Sequence, residues 1–212
     1  MEQKRFSWWL LATHLAALVA FASLIWGYFG GAFQPDPIGE ATRRAGRFAI
    51  IFLWLSLVPT ALNNLFGYRG AMRARKDLGL YGFKFALLHF AIYVGLDYRF
   101  DLPLLLESLR GGRFALLGLA ALILMAPLAV TSTEGWVRRL GRNWRRLHRL
   151  AYVAAVLAVG HYILRFKDLR AAPLIAAGIL LLLLVVRLPF IRTLFNPKQP
   201  AQSADTFEDR PN

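Results

Sequence analysis

The sequence predicts an all-α, polytopic membrane protein, a bundle of six transmembrane helices with its N and C termini on the cytoplasmic side. Three observations carry this prediction. Hydrophobic residues make up 57% of the 212-residue chain. They fall in continuous blocks rather than in the periodic stripes of a soluble core, which makes lipid the solvent. The formal net charge is +14 although only 18% of residues are charged, and the cations gather between the apolar blocks, where arginines and lysines set topology. The basic balance therefore points to membrane lipids as its partner and not to nucleic acid.

The first block, Trp8–Phe29, follows Lys4 and Arg5. It is too long for the apolar core of a signal peptide, and no small-residue cleavage site follows it, so it reads as an uncleaved first span. Two further blocks, Phe48–Phe66 and Leu78–Leu96, are of similar length. The last three, Phe114–Val130, Leu150–Leu164 and Ala171–Val186, fall short of the roughly 20 residues a helix needs to cross the hydrocarbon. Each is flanked by Arg or Lys, whose stems reach back to the interface and extend the span.

Orientation follows from the cations. The termini and the second and fourth loops carry the larger share, with Arg69, Arg73, Arg75 and Lys76 in one loop and Arg138, Arg139, Arg142, Arg145, Arg146 and Arg149 in the other. The opposite side carries fewer, among them Arg43, Arg44, Arg47, Arg110 and Arg165. That excess places the termini in the cytoplasm. In the fourth loop Trp136, Val137, Leu140, Trp144 and Leu147 recur at helical spacing, which predicts one amphipathic helix over Glu134–Arg149, lying in the interface and running into the fifth span. Such a helix either pins topology or docks a partner. Residues 1–196 form the membrane domain, and the polar, proline-containing segment 197–212 is expected to be a disordered cytoplasmic tail.

The chain has no cysteine, which excludes disulfides, thiolate metal sites, iron–sulfur clusters and covalent attachment of c-type haem. Any metal must be held by His, Met, carboxylate or amide groups. Ionisable residues inside a membrane are costly and mark pathways or cofactors. Here they are His14, Lys84, His89, His148 and His161, a set that takes in all four histidines of the chain. His89 lies about 16 Å into the third span and His161 about 20 Å into the fifth, by helical rise. Both spans enter from the same side, so the two imidazoles share a depth past the midplane. Two neutral nitrogen donors above and below a porphyrin iron are the axial set of a low-spin haem b, and they leave no open position for oxygen chemistry. A lone histidine in a membrane helix is more often a packing residue held by a hydrogen bond; for a depth-matched pair, spacing leaves the two readings even.

His148, at the start of the fifth span, joins His14, Lys84, Arg73, Arg75 and Lys76 in a basic cluster on the inner face. That cluster could ligate a second haem, or receive haem propionates, a flavin phosphate or a quinone head group. Snorkelling of Lys84 and the topology rule for the arginines are the plain alternatives. No G-x-G-x-x-G follows a strand and no soluble segment can form a nicotinamide or flavin domain. Electrons must therefore come from quinone or a separate reductase. No nucleophile–base set supports hydrolysis.

The run TSTEGWVRRLGRNWRRLHRLAY (Thr131–Tyr152), followed by Gly160–Tyr162, resembles the MsrQ family, formerly YedZ. So do Ala74–Tyr93, Asp36–Phe48 and the stretch around His14; the likeness runs from about residue 8 to Asn196. The resemblance implies a six-helix fold of ferric reductase-like type in the bacterial inner membrane. It implies one or two b-type haems, FMN in at least part of the family, and electrons supplied by the quinone pool or a cytosolic flavin reductase. The recipient would be a periplasmic molybdopterin-containing methionine sulfoxide reductase that repairs oxidised proteins, so this chain would carry electrons and not be the catalytic subunit. The family's haem histidines fall on His89, His148 and His161, with His14 matching a further family histidine. On this reading His89 and His161 are axial ligands and His148 is a ligand or gate. Lys84 departs from the family pattern, and no histidine on the third helix completes a second, inner haem. The rival readings are a stand-alone transmembrane ferric reductase and a proton-coupled transporter using the intramembrane His and Lys as a relay.

Overall fold

The computed structural model describes residues 7–166 and 171–188, and among these it shows helix and turn but no strand. The expected tail at 197–212 lies outside the described residues.

Helix α1, Trp8–Phe29, coincides with the first apolar block. It turns Thr13, Ala17, Ala20, Leu24 and Gly27 inward at helical spacing and leaves Leu15, Leu18, Val19 and Trp26 exposed. A helix apolar on its outer face as well as its inner one is built for lipid.

Helix α2, Pro37–Phe66, has 30 residues, about 45 Å of rise against roughly 30 Å of hydrocarbon. Its start is polar. The Asp36 carboxylate accepts from the Gly39 N–H, Pro37 occupies the first turn, and Glu40 accepts from Arg43, Arg44 and Arg47. These turns stand proud of the apolar segment that begins at Phe48, which is why hydropathy alone starts the element late. Gly67, at φ +67°, ends the helix in the left-handed conformation that glycine tolerates.

A short 3₁₀ turn over Gly70–Ala74 leads into α3, Arg75–Ile92, whose end widens to a π-helical turn over Tyr93–Asp97. Arg73, Arg75 and Lys76, expected in a loop, are thus helical. An additional short helix, α4, runs over Leu102–Gly111 with Asp101 capping the Leu104 N–H; it exposes Leu102, Leu104 and Leu106. Helix α5 covers Arg113–Val130. The single interfacial helix expected next is two, α6 (Glu134–Leu140) and α7 (Arg142–Leu147), broken at Gly141, whose φ of +49° a continuing helix cannot accept. Helices α8, Leu150–Leu164, and α9, Ala171–Val185, complete the described chain. Among the described residues five helical segments are long and apolar enough to cross a membrane, and α9 is a shorter apolar helix.

Two pairs dominate the packing. Helices α2 and α3 approach closely where Gly82 lies against Ala49 and Leu53. A Cβ on Gly82 would lie 3.1 Å from the Leu53 nitrogen, so the backbones approach as small residues permit in membranes. Phe52 and Phe85 stack beside that contact at 5.3 Å. Helices α5 and α8 pack through Ala121, Met125, Ala154, Ala155 and Val159, with Leu180 and Leu183 of α9 behind.

Candidate metal centre

Each of the two helix pairs carries one histidine held in the same way. On α3 the His89 Nδ1 lies 2.8 Å from the Thr42 carbonyl oxygen of α2. On α8 the His161 Nδ1 lies 2.7 Å from the Phe114 carbonyl oxygen at the start of α5. In both cases 47 residues separate ring and carbonyl. One helical turn after each carbonyl stands a glycine, and the ring lies against it. A Cβ on Gly46 would meet the His89 Nδ1 at 3.1 Å, and a Cβ on Gly118 the His161 Nδ1 at 2.7 Å. The two pairs therefore repeat one device: a carbonyl that accepts, a glycine that makes room, and an imidazole between them.

The device has a chemical consequence. A carbonyl oxygen only accepts, so each Nδ1 carries the proton, and each Nε2 keeps its lone pair. Histidines that bind metals are fixed by just such a bond from the other ring nitrogen. The two rings face each other at 6.0 Å between centroids with 73° between their planes. Two nitrogens bound to one metal at about 2 Å each, with roughly 1 Å from each nitrogen to its ring centre, give about 6 Å. Among the described residues no group of three or more His, Asp or Glu converges as a metal site. Side chains alone thus supply too few ligands, and a macrocycle filling the equatorial positions fits this pair. Phe114 packs against His161 at 5.8 Å, and the Arg165 guanidinium lies over the Phe114 ring at 5.7 Å.

The other sequence-predicted residues fall into two separate groups. His148 places Nε2 3.1 Å from the Thr131 hydroxyl, which itself donates to the Pro127 carbonyl at 2.6 Å. Thr131 must then accept from His148, so Nε2 carries the proton here, the reverse of the tautomer at His89 and His161. Trp144 stacks on His148 at 3.9 Å and donates to the Thr131 carbonyl at 2.8 Å. Arg75 is the first residue of α3, and Arg187 lies just beyond the end of α9. The Arg187 guanidinium donates to the Tyr152 hydroxyl and the Leu57 carbonyl, while its buried Nε has no partner. His14 instead shares a 2.9 Å hydrogen bond with the Tyr81 hydroxyl, and the Lys84 ammonium lies 4.9 Å from the centre of the same ring.

Residues 45–159, from within α2 to within α8 and taking in His89 and His148, match the model of the ferric reductase like transmembrane component. The chain is 43% identical over 183 residues to the protein-methionine-sulfoxide reductase heme-binding subunit MsrQ of Rhodospirillum rubrum, covering 84% of this chain and 88% of that protein. It is 41% identical over 177 residues to the subunit of the same name from Xanthomonas euvesicatoria, covering 81% of each. The chain belongs to the MsrQ family of ferric reductase-like membrane proteins. Like the family, it is a multi-pass protein of the bacterial inner membrane.

Sequence reasoning did not single out Gly46, Gly118, Thr131, Tyr81 and Arg187, and it read Trp144 only as part of an amphipathic helix face. Gly118 was open to notice, since a glycine inside an apolar span marks a close approach. What approaches it could not be read without the neighbouring helix.

Proposed function

We propose that this chain is the haem-bearing electron-transfer subunit of a methionine sulfoxide reductase system, with one b-type haem held by His89 and His161. The facing imidazoles, each with Nδ1 committed to a helix carbonyl, are the observation that carries this reading. A haem bound there would supply one-electron chemistry at an iron whose two axial positions are both taken. The protein's own part is to fix both tautomers, strengthen both donors through the Nδ1 bonds, and shield them with Phe114 and the α2–α3 packing. The printed names of the relatives, heme-binding subunits of that reductase system, support the same assignment.

The inner end reads differently. The position on α3 that corresponds to His148 on α8 is Lys76, so the histidine pair is not repeated and a second bis-histidine haem lacks its donor. His148, Arg75 and Arg187 suit an anionic group, and we assign FMN to that end, with its phosphate toward the two arginines. The arginines of α6 and α7 orient that end to the cytoplasm. Electrons enter from the quinone pool or a cytosolic flavin reductase and leave to a periplasmic molybdopterin-containing reductase.

The test is spectroscopic. Purified protein is expected to show the Soret and α bands of a six-coordinate low-spin haem. His89→Ala and His161→Ala abolish them, while His148→Ala keeps the bands and lowers flavin content. A colourless wild-type protein, or an unchanged spectrum in both alanine variants, overturns the reading.

A further inference from the structure

The group formed by His14, Tyr81 and Lys84 takes no part in the paired-histidine centre, and it lies where a polar group is least expected. His14 and Lys84 are both exposed on the surface of apolar helices, which in this protein is the surface that meets lipid. Lys84 follows Arg75 by about 13 Å of helical rise, and His14 follows Trp8 by about 9 Å. Arg75 and Lys76 mark the level at which lipid phosphates are met; Lys84 is more than two turns deeper. Its ammonium has no carboxylate partner among the described residues and rests only on the face of Tyr81. Holding a cation in hydrocarbon is expensive and marks a site. The Tyr81 ring in turn packs on Phe52 at 5.7 Å and hydrogen-bonds to His14 across the α1–α3 gap. One exposed patch therefore offers a cation, a hydroxyl and an imidazole beside aromatic rings, and it opens sideways into the bilayer.

We propose that His14, Tyr81 and Lys84 form a lipid-facing binding site for the head group of a quinone. A quinone is the ligand this patch fits. Its ring is flat and apolar, it travels in the hydrocarbon, and its two oxygens need donors at the depth where these three side chains supply them. Lys84 and the His14–Tyr81 pair take one oxygen each side of the Tyr81 ring, and the isoprenoid tail stays in lipid along the exposed face of α1. Lys84 precedes His89 by five residues of the same helix, about 7.5 Å of rise, so the site lies within about one and a half turns of that histidine along α3. This assignment rests on the reading of the chain as a quinone-fed electron carrier. Oxidation of a bound hydroquinone breaks two O–H bonds. It would yield the quinone, two protons that leave through His14 toward the Trp8 end of α1, and two electrons, for which the b-type haem proposed above would supply a one-electron acceptor.

The experiment uses the full chain with its haem, in nanodiscs, with two probes. An azido-ubiquinone photolabel is expected to mark α1 near His14 and α3 near Lys84, to be displaced by decylubiquinone, and to be lost in Lys84→Met and His14→Leu. Decylubiquinol is expected to reduce the haem with an apparent KM raised about tenfold or more in the same variants, while dithionite gives them the wild-type reduced spectrum. Tyr81→Phe, which keeps the ring and removes the hydroxyl, should give a smaller rise. Labelling that stays at wild-type level in both variants, or that maps to Arg73–Lys76 and is displaced by anionic phospholipid, overturns the site. Wild-type protein that decylubiquinol cannot reduce but dihydroflavin can also overturns it as a donor site. A preparation lacking haem would refute the electron-carrier reading instead, and there the photolabel alone still decides whether quinone binds.

Discussion

Gly118→Ala puts the paired-histidine device under direct test. The added Cβ would lie 2.7 Å from the His161 Nδ1 and 3.0 Å from its Cε1, where ordinary contact begins at 3.4 Å. The ring must therefore retreat by about 0.7 Å to restore normal separation. It is tethered at 2.7 Å to the Phe114 carbonyl, and a retreat of that size carries the bond out of the normal hydrogen-bond range. Losing the bond costs about 1 kcal/mol and overpacking a further 1–3 kcal/mol, against about 1 kcal/mol returned by the better helix propensity of alanine. The net effect is a destabilisation of about 1–3 kcal/mol. The larger effect falls on the ligand, since losing the bond that orients a metal-binding histidine typically costs 10–100-fold in affinity. Gly46→Ala is the internal control: its Cβ would stand 3.1 Å from the His89 Nδ1, so the ring moves less than half as far and helix propensity offsets most of the strain. Haem titration of the apoprotein and the haem-to-protein ratio measure the affinity, and thermal unfolding measures the stability. If Gly118→Ala titrates like wild type, or Gly46→Ala is the weaker binder, the reasoning from these contacts is wrong.

Two further outcomes are expected. Thr131→Val removes the acceptor that holds His148 in its Nε2–H form and should halve flavin content or worse while leaving the haem spectrum intact, as absorbance of the purified variant will show. Glu40, in the polar turns of α2 ahead of the apolar segment, has its carboxyl held below the ordinary value of 4.5, chiefly by the hydrogen bond from Arg44; burial opposes this, and Arg43 and Arg47 add to the lowering. A depressed folded-state value means that the group stabilises the fold above its unfolded pKa and loses that contribution as pH falls through the folded one. Wild type should thus lose its margin over Glu40→Gln only below about pH 4.5, and the margin should stay under about 1 kcal/mol because the pairs are partly exposed. Thermal melts of both proteins from pH 7 to pH 3 provide the measurement.

The parts of this molecule legible in the sequence are those that obey one-dimensional rules. Hydropathy gave the bounds of α1 residue for residue, and helical rise alone set His89 and His161 at one depth. The parts that escaped depend on a second element. The polar start of α2 was signalled by Asp36, Pro37 and Glu40, a capped first turn, but a reading based on apolar blocks passes over a helix that continues outside the membrane. Helix α4 had a similar sign in Asp101 and Pro103. Gly141 was visible within the amphipathic run, yet the period of Trp136, Val137 and Leu140 outweighed it. The carbonyls of Thr42 and Phe114 have no sequence signature at all, because any residue carries one; only the packing of α2 on α3 and of α5 on α8 turns them toward an imidazole. The inner basic cluster was seen as one group because depth was the only coordinate at hand. Azimuth around the helices divides it into the surroundings of His148 and those of Lys84.

The twin carbonyl tethers also bear on the rival in which these histidines hand protons along a chain. A relay ring must take a proton on one nitrogen and release it from the other. Here the Nδ1 of both residues 89 and 161 points into the oxygen of a peptide group inside a continuous helix, which has no onward site to give. For hydrogen ions each ring is a cul-de-sac, and only its Nε2 is left to act.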